Sequence, residues 1–257
     1  MKQFLPILFF ICTSISLQAQ QKSDTLTVIS YNLRFGERAS MREFAEFIKE
    51  QDADLVALQE VDIKTFRERA PNQNGKDFIG ELAYYTGMFA AFGKTIDHAG
   101  GYYGIGILSK YPISSVERIL LPLTENGKEQ RAFMVANIEL KHQATISFVS
   151  THLDYTNTEE RQLQVQAINE SLTNNQNPVL LCGDFNARPE SVEIQSGMKF
   201  WKPLDNNKPT ASSEQPRFKI DYIFGYPEGS WELLHSSSPP MLLSDHLPII
   251  SKLLVKW

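Results

Sequence analysis

Ser-Asp-His-Leu-Pro at residues 244–248 is the last of five short polar motifs, each of which ends an apolar, strand-like run. The others are Ser-Tyr-Asn-Leu-Arg at 30–34, Leu-Gln-Glu at 58–60, Thr-His-Leu-Asp at 151–154 and Gly-Asp-Phe-Asn at 183–186. Polar side chains placed where buried strands end can converge at one edge of a folded core, where carboxylates, amides and imidazoles hold a hard cation and a phosphate. The five motifs therefore predict an active site at such an edge.

The first 19 residues have the pattern of a secretory signal peptide. Lys2 precedes the apolar stretch 4–12, and small or polar residues follow as far as Ala19. That stretch is too short to span a bilayer, and a buried N-terminal strand is the less favoured alternative because nothing polar interrupts it. We predict cleavage near Ala19, a secreted or periplasmic protein, and one folded domain over residues 24–257.

Composition narrows the class of protein. With 42% hydrophobic residues in 257, the chain can bury a large core. Without the leader, Cys182 is the only cysteine, so no intramolecular disulfide can form. Lys2 is one of 25 basic residues, so the mature chain has 24 basic against 30 acidic residues and a net charge of −6. Because non-specific nucleic-acid binders usually carry a positive field, this charge disfavours a DNA or RNA substrate without excluding it.

Apolar periodicity predicts more strands than helices. Ser40 and Glu43 form a capping-box pattern at the start of one helix, and Gly87 closes another. Because the helices fall between strands in both halves, we predict an α/β (α+β) fold of two packed mixed sheets with helices outside. The predicted helices are 40–51, 76–86, 157–172 and a short one opened by Pro189. The predicted strands are 26–31, 54–61, 103–108, 116–121, 132–140, 145–149, 179–182, 220–224 and 247–254.

Together with Ile-Asp-Tyr-Ile-Phe at 220–224, the five motifs resemble in content and order those of the endonuclease/exonuclease/phosphatase superfamily of metal-dependent phosphoesterases. This superfamily includes pancreatic-type deoxyribonucleases, abasic-site endonucleases, bacterial sphingomyelinases and inositol-polyphosphate phosphatases. The resemblance runs from Thr27 to about Ile250, over nearly the whole mature chain. It implies a four-layer α/β/β/α sandwich with the site at one end of the two sheets.

Glu60 is the first candidate metal ligand, because Mg²⁺ accepts one or two carboxylates and keeps several waters. Leu58 and Val61 mark a buried strand, where a charged side chain needs a partner, which favours a ligand over a solvated glutamate. Asn32 can fix the ligand carboxylate or bind the phosphate, although Asn at a strand end is often only a turn former. The resemblance assigns Asp245 to the metal or to a water. Oxygen donors dominate this set, which favours Mg²⁺ or Mn²⁺ over the rival zinc site.

Two histidines at strand ends are the candidate groups for proton transfer and charge stabilisation. His246 can accept a proton from water if a carboxylate fixes its tautomer, and the resemblance assigns that role to Asp221. His152 would donate a hydrogen bond to the charge that develops on the phosphoryl oxygens. Asp184 and Asn186 point to the same side of an extended segment and can hold the attacking water and a metal or leaving-group oxygen; an Asx turn is the alternative.

Arg67 and Arg131 are candidate phosphate clamps, because guanidinium groups bind phosphate oxygens in pairs. The alternative is that they are exposed, solubilising arginines. Arg67 follows the Glu60 strand, and Arg131 precedes the strand predicted at 132–140.

The motifs as a set predict a secreted Mg²⁺- or Mn²⁺-dependent hydrolase in which a His-activated water attacks phosphorus in line. No basic stripe or long hydrophobic hairpin is evident, so a small or soluble phosphoester is the first substrate class. The alternatives are a nuclease, a sphingomyelinase-like lipid phosphodiesterase and a catalytically silent binding protein on the same fold. We expect a monomer with no transmembrane segment in the mature chain. The number of metal ions, and whether His246 or a metal-bound hydroxide is the base, stay open.

Overall fold

The computed structural model of the protein describes residues 23–125, 127–141 and 144–257. The predicted signal peptide, including Lys2 and Cys12, lies outside the described residues. Within the described ranges, none of the helices combines the length and the apolar character needed to cross a membrane.

Twelve strands in the described part of the chain form two six-stranded sheets. The strands are Ser23–Asn32 (β1), Leu55–Ile63 (β2), Phe89–His98 (β3), Gly101–Ser109 (β4), Ile113–Leu120 (β5), Ala132–Glu139 (β6), Thr145–His152 (β7), Val179–Asp184 (β8), Lys202–Pro203 (β9), Asp221–Tyr226 (β10), Trp231–Ser237 (β11) and Ile249–Lys256 (β12). The first sheet has the order β11-β12-β1-β2-β4-β3, and the second has the order β5-β6-β7-β8-β10-β9. Because β1–β2 and β7–β8 are parallel while the other pairs are antiparallel, both sheets are mixed, as predicted.

Three α-helices begin and end close to the predicted positions. They are Met41–Glu50 (α1), Phe78–Thr86 (α2) and Thr158–Leu172 (α3). The capping box of α1 is present, since the Ser40 side chain accepts from the Glu43 N–H while the Glu43 carboxylate accepts from the Ser40 N–H. Gly87 closes α2 in the left-handed conformation, with φ 73°.

Three apolar cores hold four layers together. The central core lies between the two sheets and includes Ile107 and Phe148. Helices α1 and α2 cover the outer face of the first sheet through a second core that contains Phe44 and Phe78. Helix α3 covers the outer face of the second sheet through a third core that contains Ile168. The predicted four-layer α/β/β/α sandwich is confirmed.

The sequence prediction omits the two-residue strand β9, and it omits β3 and β11, which form the two edges of the first sheet. Most side chains of β3 and β11 are exposed or half-buried, so neither strand shows the clear apolar alternation on which the prediction depends.

The prediction that a short helix opens at Pro189 is wrong. Pro189 lies in a turn whose carbonyl accepts from the Gln195 side chain rather than from a helical N–H, and the helical turn comes later, at Glu193–Gly197.

Strand pairing brings the ends of several strands to one end of the sandwich. In the second sheet, His152 at the end of β7 pairs with Asp184 at the end of β8, and Asp221 at the start of β10 pairs with Asp184 from the other side. In the first sheet, β1 ends at Asn32, whose Nδ2 donates to Asp184 Oδ2 at 3.1 Å. The motif-bearing strand ends of the two sheets therefore meet.

Gly183 in β8 has no room for a side chain, since a Cβ there would lie 2.2 Å from the carbonyl oxygen of Thr151 in β7. Gly183→Ala should therefore lower the free energy of unfolding by about 1–3 kcal/mol, because the paired strands must shift apart. Gly229→Ala is the matched control, because a Cβ there has nothing within 4 Å. Urea unfolding of the two variants checks the expectation, and equal stability would contradict this packing.

Candidate active site

His246 lies between two carboxylates at the end of the second sheet. Its Nδ1 is 2.9 Å from Asp221 Oδ2, and its Nε2 is 3.8 Å from Asp184 Oδ2. All three side chains are buried. Since Asp221 and Asp184 are direct partners in the β10–β8 ladder, both carboxylates face the same imidazole, and Asp221 fixes the direction in which Nε2 points.

His152 approaches Asp184 from the neighbouring strand. Its Nε2 is 3.6 Å from Asp184 Oδ2, and its Nδ1 is 3.2 Å from Arg131 Nη1. A guanidinium can only donate, so Nδ1 is the acceptor and the ring proton of the neutral imidazole is on Nε2. Burial, together with the positive charges of Arg131 and His246, lowers the pKa of His152 well below its usual value. His152 is therefore a neutral imidazole that presents an N–H to the site.

Asn32 links the two sheets at the centre of this cluster. Its Nδ2 donates to Glu60 Oε1 and to Asp184 Oδ2, both at 3.1 Å. Glu60 has φ 56°, a conformation rare for a non-glycine residue, at a bulge where the register between β2 and β4 shifts. Burial raises the pKa of Glu60, while His246, Asn32 and Arg34 act in the opposite direction. The half-buried Glu60 carboxylate is thus held beside the contacts that His152 and His246 make with Asp184.

Asp245 and Asn186 lie beside the same cluster. Asp245 Oδ2 is 2.9 Å from Nη1 of Arg34. The Asn186 N–H donates to Asp184 Oδ1 at 2.9 Å, and its Nδ2 donates to the Leu153 carbonyl at 3.0 Å. The structure brings together all eight residues predicted for metal binding or proton transfer, which are Asn32, Glu60, His152, Asp184, Asn186, Asp221, Asp245 and His246. The roles predicted for them remain predictions.

The sequence model of the endonuclease/exonuclease/phosphatase family matches residues 29–246, a range that contains all eight of these residues. This chain belongs to the endonuclease/exonuclease/phosphatase family. Members of the family are hydrolases such as phosphatases and nucleases, and they generally depend on divalent metal ions.

Proteins similar to this family member align over most of its length at low identity. YbhP, an uncharacterized protein of Escherichia coli K12, is 24% identical over 260 residues, which cover 92% of this chain and 98% of YbhP. An endonuclease/exonuclease/phosphatase from Beutenbergia cavernae has a TM-score of 0.75 at 18% identity, covering 90% of this chain and 72% of that one. The mannosyl-6-phosphatase Bt3783 of Bacteroides thetaiotaomicron has a TM-score of 0.70 at 17% identity, covering 89% and 99%. At such identities the structural likeness supports the fold alone.

The donors at the site suit the hard divalent cation that this family generally uses. Asp184, Asp221 and His246 offer ligand atoms within 4.8 Å of one another. Both nitrogens of the imidazole already have partners, however, because Nδ1 is hydrogen-bonded to Asp221 and Nε2 faces Asp184. Glu60 and Asp245 add two carboxylates at the same end of the sheets. Such an oxygen-rich set favours Mg²⁺ or Mn²⁺ over Zn²⁺, which more often gathers several imidazoles and thiolates.

The two arginines predicted as phosphate clamps contact protein partners in this family member. Arg67 donates from Nε and Nη2 to the two oxygens of Asp62, at 2.6 and 3.0 Å. Arg131 is buried, and its Nη1 lies 3.0 Å from Glu129 Oε1 as well as 3.2 Å from His152. The bidentate face of Arg67 is therefore occupied by Asp62, and the contact seen for Arg131 is one that orients His152. Phosphate binding by either residue stays a prediction.

Sequence reasoning gives no role to three residues that contact the site. Arg34 is the last residue of the motif Ser-Tyr-Asn-Leu-Arg, and its place in that motif is the signal that could have found it. Glu129 and Tyr103, which lie against Arg131, stand outside the five motifs.

The charge on Asp184 should cost stability in the absence of metal. Burial, with the Asp221 carboxylate adding to the effect, raises the pKa of Asp184 from 3.8 to about 7. A carboxyl whose folded pKa is raised destabilises the fold once it ionises, so the cost grows as pH rises above 3.8 and is complete above pH 7. Asp184→Asn should therefore raise the free energy of unfolding at pH 8 by about 1–3 kcal/mol, and by less at pH 5.

Urea unfolding of both proteins in EDTA at pH 8 and pH 5 measures this difference. A variant less stable than the parent at pH 8 would contradict the assignment of Asp184 as a buried charge that costs stability in the metal-free protein.

Proposed function

We propose that this member of the family is a Mg²⁺- or Mn²⁺-dependent hydrolase of small or soluble phosphoesters. The observation that carries the proposal is that two histidines with different partners face one carboxylate, Asp184. His246 is held by Asp221, and His152 is held by Arg131. The first can exchange a proton with water while the second donates a hydrogen bond, and both functions serve in-line attack on phosphorus.

His246 is the proton-transfer group in this mechanism. Asp221 accepts the Nδ1–H, which leaves Nε2 to take the proton of the attacking water. Burial lowers the pKa of His246, but the carboxylates of Asp221 and Asp184 raise it by more, so the imidazolium that proton transfer creates is stabilised. Glu60, with Asn32 and Asp245, would hold a divalent ion, which would supply the positive charge that polarises a phosphoryl oxygen.

His152, Asn186 and Asp184 act on the charge that develops around phosphorus. The Nε2–H of His152 points into the site before substrate arrives, because Arg131 fixes the tautomer, so it donates without reorganisation. The side-chain amide of Asn186, whose Nδ2 has two N–H groups and donates to the Leu153 carbonyl, is a second donor. Asp184, with its pKa raised by burial to about 7, is suited to assist the leaving oxygen near neutral pH.

The substrate class is inferred from charge and from similar proteins. A mature chain with a net charge of −6 disfavours a long polyanion, which places a nucleic acid second. Bt3783 is a mannosyl-6-phosphatase, which supports a phosphorylated sugar as one member of the soluble phosphoester class. We further propose that residues 1–19 direct export and that residues 24–257 form the secreted or periplasmic enzyme.

A substrate panel tests this function. The purified chain should be assayed with sugar phosphates, inositol phosphates, bis-p-nitrophenyl phosphate, sphingomyelin and plasmid DNA, each with Mg²⁺ and with EDTA. We expect Mg²⁺-dependent release of phosphate or alcohol from a small phosphoester at a kcat/KM above that for DNA. Equal rates with Mg²⁺ and with EDTA, or hydrolysis of sphingomyelin or DNA alone, would contradict the proposal.

A further inference from the structure

We propose that Arg34 is a substrate-binding residue whose guanidinium, held by Asp245, binds a phosphoryl oxygen of the phosphoester. The inference rests on the proposed function and adds a residue that the sequence reasoning left without a role. It also replaces Arg67, whose fork is occupied by Asp62, as the first candidate for the phosphate contact.

The backbone around Arg34 is held in an uncommon conformation. Arg34 and Phe35 both have positive φ, 48° and 43°, although neither is a glycine. The Arg34 N–H donates to Asn32 Oδ1 at 2.9 Å. Asn32, which also donates to Glu60 and to Asp184, therefore fixes the backbone at Arg34, just after the end of β1. Two consecutive non-glycine residues keep positive φ only where the surrounding structure imposes that conformation, and such residues cluster at ligand sites.

The side chain of Arg34 is anchored at one edge and open at the other. Its Nη1 lies 2.9 Å from Asp245 Oδ2, and its Nε lies 3.3 Å from Glu37 Oε2. The side chain is 30% exposed, compared with 16% for Arg67 and 4% for Arg131. Of these three arginines, Arg34 is the one that combines a fixed position with access to solvent and therefore to a ligand.

The position of Arg34 relative to the proposed metal and proton-transfer groups suits a phosphate. Asp245, its partner, directly precedes His246 in the chain. The Arg34 N–H donates to Asn32, whose Nδ2 donates in turn to Glu60 Oε1 at 3.1 Å, so Arg34 is joined through one residue to the proposed metal ligand. A phosphoryl group beside Glu60 and within reach of His246 would therefore lie next to a planar, permanently charged donor.

Arg69 provides a matched control. It also bonds Glu37, at 2.9 and 2.7 Å, and its guanidinium lies 5.3 Å from the centre of the Phe35 ring, compared with 5.6 Å for Arg34. The salt bridge of Arg69 is to Glu37, whereas Arg34 also pairs with Asp245. Arg69→Met therefore repeats the loss of the Glu37 and Phe35 contacts without removing the partner of Asp245.

The experiment measures binding of inorganic phosphate to the Mn²⁺-loaded protein by isothermal titration calorimetry, so no turnover is needed. Arg34→Met should raise the dissociation constant of phosphate at least fivefold, since a charge-assisted hydrogen bond is lost. Arg69→Met should change it less than twofold. The affinity of Arg34→Met for Mn²⁺ should equal or exceed that of the parent, because removing a cation next to the carboxylates does not weaken metal binding. Should Arg34→Met fail to fold, Arg34→Gln, which keeps a donor for Asp245, replaces it.

The inference is overturned if the parent binds no phosphate, or if Arg34→Met raises the dissociation constant of phosphate less than fivefold. It is also overturned if Arg69→Met weakens phosphate binding as much as Arg34→Met does. It is also overturned if Arg34→Met loses Mn²⁺ affinity in parallel, since Arg34 would then act by building the metal site. Failure of the proposed function gives a different result, because a parent that binds phosphate through Arg34 but hydrolyses no member of the substrate panel would contradict only the proposed reaction.

Discussion

His246→Asn should lower kcat for phosphoester hydrolysis by about 10³-fold, because the asparagine cannot accept a proton, and a positioned general base contributes on the order of 10²–10⁴-fold. Asparagine keeps an N–H donor for Asp221, so the carboxylate that bonds His246 Nδ1 at 2.9 Å is not left without a partner. The effect should fall on kcat rather than on KM, since the proton moves in the transition state. Steady-state kinetics with a chromogenic diester in saturating Mg²⁺ measure it.

His235→Asn is the control for the same substitution at an exposed position on β11. It should leave kcat unchanged. If purified His246→Asn hydrolysed the diester as fast as the parent while its thermal unfolding was normal, the assignment of His246 as the proton-transfer group would be wrong.

Glu60→Gln should weaken Mn²⁺ binding by about 100-fold and lower kcat/KM at limiting metal to a similar extent, since the substitution removes one carboxylate charge from the ion. The fold should persist, because the introduced amide keeps a side-chain oxygen that can accept from Asn32 Nδ2, as the Glu60 carboxylate does at 3.1 Å. Burial already raises the pKa of Glu60, so the uncharged side chain should be accommodated without loss of stability.

Electron paramagnetic resonance of free Mn²⁺ gives the dissociation constant directly. Glu50→Gln, at the exposed end of α1, should bind Mn²⁺ as the parent does. Unchanged Mn²⁺ affinity in Glu60→Gln would remove Glu60 from the metal site and would leave the carboxylates of Asp184, Asp221 and Asp245 as the remaining candidates.

The layers of this fold could be predicted from the sequence because the central strands are apolar runs that end in polar motifs. Residues such as Leu55–Leu58 and Val179–Cys182 are buried on both faces of their sheets, so they give a strong signal. The edge strands β3 and β11 face water along much of their length, so their sequences give no such apolar signal. The prediction at Pro189 failed because a proline can open a turn as readily as a helix.

The candidate site could be predicted in its membership but not in its contacts. Asn32 and Asp184 are 152 positions apart, and only the packing of the two sheets brings them within 3.1 Å. No sequence pattern reports that Arg67 is paired with Asp62, or that Arg131 contacts His152. Such partners are set by the direction of each side chain in the folded protein, and neither residue type nor strand position specifies that direction.

The ion itself provides the most direct test of the central claim, that a divalent metal binds where polar side chains of the two sheets meet. Anomalous diffraction from crystals of the full chain grown with Mn²⁺ locates it. We expect a peak bound by the Glu60 carboxylate, at the end of the sandwich where His246 and His152 face Asp184. A Mn²⁺ peak elsewhere on the molecule, with none beside Glu60, would contradict the account.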